Sequence, residues 1–149
     1  MKTLRLILFF FTAALAACTQ NNGRIGPLFG SWHLESMSLN GKPFPQPEGT
    51  DTYWKFQGHV MQAILSFGPD DTDTRTGTWS SDDDVLTLRF THGDDVNAPG
   101  TGGYSPPQWL GLDGNGIFEL KILRLTGSSL SLSLGTADGV YTYTFSKTW

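Results

Sequence analysis

Three histidines, one cysteine and a surplus of aspartates are the residues of this chain that could do chemistry. His33, His59 and His92 stand in no H-x-H or H-E-x-x-H spacing, so the sequence carries no zinc signature. His33 and His59 fall on or beside extended segments, where an imidazole is ordinarily a half-exposed side chain. His92 opens "HGDD", and a Ser–His–Asp relay there would call for a G-x-S-x-G elbow, which the sequence lacks. "PDDTDT" (69–74) and "DGNG" (113–116) resemble fragments of calcium loops, but neither reaches the Gly and Glu positions of an EF-hand loop. No catalytic residue, metal ligand or cofactor is therefore assigned. We expect a protein that binds something rather than an enzyme.

The single cysteine, Cys18, comes directly after an apolar leader. In "MKTLRLILFFFTAALAAC", Lys2 and Arg5 form a positive start and Leu6–Ala17 an apolar stretch of 12 residues. A bilayer-spanning helix needs about 20, so the stretch fits the core of a secretory signal. "LAAC" resembles the lipobox of bacterial lipoproteins. The resemblance implies a signal peptide over 1–17, cleavage before Cys18, and a lipid on its sulfur. The alternative is a plain signal cut after Ala17, leaving a lone thiol in an oxidising compartment, where one is a hazard. The polar "TQNNGRIGP" after the cysteine reads as a tether, over 18–28. Thr19 rather than Asp after the cut implies, by the same resemblance, outer-membrane sorting, with the leaflet side open.

Without residues 1–17 the chain keeps 8 basic and 14 acidic residues, a net charge of −6. That excess argues against nucleic acid as a partner. Residues 29–149, beyond the tether, are enough for one domain with one core.

That domain reads as all-β. Alternation predicts strands over 30–38, 52–57, 59–67, 74–80, 84–91, 117–125, 129–134 and 139–147, separated by Gly, Asn, Asp and Pro. "SLSLSL" and "VYTYTF" alternate strictly, which turns Leu130, Leu132 and Leu134, or Tyr141, Tyr143 and Phe145, toward one face. Eight antiparallel strands with one apolar face close into an up-and-down β-barrel, which removes exposed edges. "GSW" (30–32), "LNGK", "GTW" (77–79) before "DDDVLTLRF", and the "LTGSSLSLSL…YTYTFSK" ending resemble the lipocalin-like domains of bacterial lipoproteins over about 28–149. The resemblance implies that Trp32 plugs one end of the barrel. Such proteins stack an arginine of the last strand on this tryptophan; here that strand offers Lys147.

In an up-and-down barrel successive connections alternate between ends. Connections 39–51, 68–73, 92–116 and 135–138 then share a mouth, and the tight turns close the other end, where the first strand begins. A lipid on Cys18 would hold the closed end to the membrane and point the mouth away. The 92–116 loop has seven Gly and three Pro, and its length suits a functional loop. Nine of the 14 acids fall at the mouth, among them Asp70, Asp71, Asp73, Asp94 and Asp95, with Lys42 the one base in those loops. They either mark ordinary turns or form an acidic rim for a cationic ligand or basic protein. Phe44, Tyr104 and Trp109 lie in the same loops, as contacts for a ligand or as a lid.

Trp32, Trp54, Phe56, Phe67, Trp79, Phe90, Phe118, Tyr143 and Phe145 are expected to point inward. Barrels of eight strands are either filled by side chains or hold one small ligand, and the sequence leaves both open. Two functions fit. The first is capture of a small apolar molecule at the mouth. The second is a protein-binding module with an acidic rim, such as an inhibitor of a basic hydrolase or an accessory subunit of an envelope complex.

Overall fold

The computed structural model describes residues 26–91 and 98–149. Cys18, the leader, most of the tether, His92, Asp94 and Asp95 lie outside the described residues. The strands are β1 (Gly30–Leu39), β2 (Lys42–Pro43), β3 (Asp51–Gln57), β4 (Val60–Gly68), β5 (Asp71–Asp82), β6 (Val85–Arg89), β7 (Ile117–Leu125), β8 (Ser129–Thr136) and β9 (Gly139–Lys147). Every pairing is antiparallel between neighbours, and β1 also pairs β9 from Trp32↔Lys147 to Leu39↔Tyr141. That last pairing closes an eight-stranded up-and-down barrel, as alternation predicts. β2 is a two-residue spur on the end of β1 (Ser38↔Pro43, Leu39↔Lys42) and not a ninth stave.

Period-two burial builds the wall. β8 buries Leu130, Leu132 and Leu134 while its serines stay partly exposed, and β9 buries Tyr141, Tyr143 and Phe145 opposite them. Trp32, Trp54, Phe56, Phe90, Tyr143 and Phe145 are fully buried, so the lumen is packed with rings rather than open. Trp54 alone meets Phe145 at 4.8 Å, Tyr143 at 5.8 Å and Phe56 at 6.3 Å between centroids. Such tilted and edge-on pairs add to the burial term.

The turns at 58–59, 83–84 and 126–128 sit at the end where β1 begins. The connections 40–50, 69–70, 90–116 and 137–138 share the opposite end. The mouth is therefore where loop parity puts it, with the longest connection as far from the start of β1 as the barrel allows. At the closed end Trp32 donates its indole N–H to the Leu28 carbonyl at 2.8 Å, and Lys147 Nζ lies 5.1 Å from its ring. The chain end straps this side: Ser31 N donates to Trp149 O, and Thr148 N to Ser31 O. Gly30, with φ +121°, accepts that strap because a Cβ would collide with the Trp149 carbonyl.

Three expectations change. Leu28, read as the end of the tether, is buried at 3 % exposure and belongs to the core. The fourth stave, β5, begins at Asp71 rather than Thr74, because the β4–β5 ladder continues to Gly68↔Asp71. Phe67 does not point into the barrel. The ladder passes from Ser66↔Thr72 to Gly68↔Asp71, so Phe67 is the bulged residue, half exposed at the rim.

Candidate functional site at the barrel mouth

The mouth is organised by the long connection, which returns into the barrel it bridges. Its Gln108–Leu110 segment forms one 3-10 turn ending at Gly111 in the left-handed region (φ +70°). A Cβ on Gly111 would stand 2.6 Å from the Tyr141 ring, so glycine is required for both backbone and contact. This reversal drives Leu110 and Leu112 into the lumen, where both are fully buried. Tyr143, from the barrel wall, donates its hydroxyl to the Leu110 carbonyl at 2.6 Å. Burial pushes the Tyr143 phenol up, with Tyr141 adding to the shift, so it stays a donor.

Trp109 lies half-buried on this plug, with the Arg75 guanidinium 5.6 Å from its ring centre. Arg75 is on the inner face of β5, opposite Ala63, two residues from the buried Gly77. It donates Nε and Nη2 to the two Asp73 oxygens at 2.7 and 2.8 Å, and Nη1 to Gly102 O at 3.2 Å and to Ser105 Oγ. Hydrogen bonding from Arg75 holds the Asp73 carboxyl below the usual range. One side chain thus ties β5 to the loop.

Gln46 forms a second tie. Its amide donates to Trp109 O at 3.4 Å and contacts Met37 Sδ at 3.4 Å, and its carbonyl oxygen accepts from Thr52 Oγ1 at 3.0 Å. Phe44, also half-buried, meets Tyr141 edge-on at 5.4 Å. Tyr104 is 47 % exposed in a separate turn, Gly102–Tyr104, which packs beside β5. Of the three mouth aromatics, then, Phe44 and Trp109 pack on the plug and core, and Tyr104 faces solvent.

Asp70 and Asp71 are exposed at the β4–β5 corner, while Asp73 is spent on Arg75. The rim is less acidic than loop composition implies, because Arg75 is a mouth residue carried on a strand. Sequence reasoning missed Arg75, Gln46, Leu110 and Leu112. The apolar "QWLGL" inside a Gly/Pro-rich loop was the available signal for the two leucines.

Beside Arg75 the wall has a gap. β6 pairs β5 only from Thr78 to Asp82, leaving Asp71–Gly77 without a strand on that side. The long loop lies across the gap and leaves a groove of about 410 Å³, lined by Arg75, Pro99, Pro106, Gln108, Trp109 and Asp113 among others.

On the outer wall, His33 sits between Glu35 (2.9 Å) and Asp51 (3.1 Å). Glu35's hydrogen bond is the main cause of a raised His33 pKa, burial opposes it, and Asp51 adds to it. Ser146 donates its hydroxyl to Glu35.

A family model described as a lipocalin-like domain matches residues 28–132. Among solved structures, a lipocalin-like protein from Bacteroides uniformis superposes with a TM-score of 0.58 at 21% identity, covering 82% of this chain and 99% of that one. An uncharacterized protein from Bacteroides eggerthii does so at 0.61 and 18% identity, covering 80% and 98%. No curated protein matches the chain.

Proposed function

We propose that this chain, which belongs to the lipocalin-like domain family, is a lipid-anchored envelope protein that takes a small apolar molecule at the barrel mouth. Cys18 would carry the lipid and residues 19–27 the slack. Because β1 begins at the closed end, an anchored barrel would turn its mouth away from the membrane. Outer-membrane placement is part of the same reading, as is binding without catalysis.

The observation that carries the proposal is the plug. The upper lumen is filled by Leu110 and Leu112, which a loop delivers and the wall does not. Each buried leucine is worth about 1.5–3 kcal/mol, and an apolar guest in the same place would recover a similar amount. Apart from packing, Trp109–Leu110 is held by the Tyr143–Leu110 and Gln46–Trp109 hydrogen bonds and the Arg75 stack.

The test is a titration of the lipid-free chain from Asn21 with an environment-sensitive apolar dye, read by tryptophan-to-dye energy transfer. One-to-one saturation that weakens in Trp109→Ala is the expected result. Absence of saturable binding in both proteins would sink the reading.

The packed lumen favours a second reading, a protein-binding module. Asp70 and Asp71 stand exposed beside half-exposed Phe67, with no ion pair among the described residues. Such a corner suits a basic protein surface, and its binding would weaken steeply with salt.

A further inference from the structure

We propose that the groove between Arg75 and the mouth loop is a second binding site, one for a neutral saccharide of one or two rings. The groove is open to solvent, distinct from the apolar plug beneath it, and about 410 Å³ in volume, within the range of small-molecule sites.

Its lining decides the ligand class. Trp109, Pro99 and Pro106 provide rigid ring surfaces. Between them stand three planar polar groups, the guanidinium of Arg75, the carboxamide of Gln108 and the carboxylate of Asp113. Arg75 keeps one Nη2 hydrogen beyond its bonds to Asp73, Gly102 and Ser105. One Asp113 oxygen accepts from Gly114 N at 2.8 Å, and the other has no partner among the described residues. The Gln108 amide is exposed and likewise without a partner among them. The indole N–H of Trp109 is buried with no acceptor there either.

An aliphatic occupant would leave these donors and acceptors dry, which is unfavourable. An anionic one would face Asp113 with Arg75 already neutralised by Asp73. A saccharide presents apolar C–H faces alternating with hydroxyl edges that both donate and accept. Those faces and edges match ring surfaces interleaved with planar two-point groups.

Residues 28–91 and 98–149 close on their own core, so the lipid-free chain from Asn21 serves for the test. It is applied, biotinylated, to a surface array of neutral glycans of one to four residues with acidic glycans alongside. Retention on neutral glycans, at least tenfold weaker in Trp109→Ala and in the exposed variant Asp113→Ala, is expected. Failure to retain any neutral glycan, a preference for acidic ones, or retention untouched by both substitutions overturns the proposal. The apolar-dye titration runs on the same protein. Dye binding without glycan binding removes this inference alone, and glycan binding without dye binding removes only the apolar reading.

Discussion

At the scale of single residues, the mouth depends on Arg75. Its ion pair with Asp73 is partly shielded, and its other donors fix the loop at Gly102 and Ser105. Arg75→Ala should lower stability by about 1–2 kcal/mol, less than a fully buried charged hydrogen-bond set would, because solvent still reaches the pair. Urea unfolding measures this, and an unchanged midpoint would mean the ties are incidental. His33 makes a pH prediction. Its folded pKa is raised above the ordinary 6.5, so its contribution is complete below that value and is lost as pH rises through the folded pKa. The melting-temperature gap between wild type and His33→Gln should therefore be larger at pH 5.5 than at pH 8.5. The carboxylates run the other way. Glu35, lowered chiefly by Ser146, and Asp73, lowered chiefly by Arg75, lose their contributions as pH falls below the carboxylate range. Little of this is legible in the sequence, since Arg75 reads as an ordinary strand residue until the strand's extent and facing are known. Trp32 is legible, and Lys147 does lie over it.

At the scale of elements, the strands are the readable part, because a period of two leaves its mark in the chain itself. "SLSLSL" and "VYTYTF" bury the residues that alternation selects. Alternation fails at Phe67, where a bulge inserts a residue and breaks the phase, something no local pattern announces. The mouth loop is readable only as a long loop, since its fold is dictated by where Leu110 and Leu112 find apolar company. Leu110→Ala should destabilise by about 2–4 kcal/mol, the range for a leucine truncated in a packed core. Thermal or urea unfolding would show it. A loss under about 0.5 kcal/mol would mean the loop is seated on the barrel rather than in it.

For the whole molecule, closure through β1 and β9 gives the barrel two unlike ends and leaves Asp71–Gly77 of β5 as an edge that the long loop covers. One end is sealed by tight turns, the Trp32–Lys147 contact and the C-terminal strap, while the other carries every long connection. This polarity is legible from loop lengths alone, because up-and-down connectivity fixes which loops share an end. The packing of the lumen is not, since the same ring-rich sequence suits a filled barrel or a lined cavity. The proposed anchor makes a cellular prediction: Cys18→Ser should shift the protein from the membrane fraction to the soluble envelope fraction on fractionation. Unaltered membrane association would remove the lipid from the account. The central claim, an apolar guest at the mouth, is tested most directly by methyl NMR on the leucine-labelled chain during titration with the apolar dye. Saturable shifts at Leu110 and Leu112 are expected while Leu28 and Leu86 hold still. Shifts confined to Leu28 and Leu86, or none at any leucine, would contradict it.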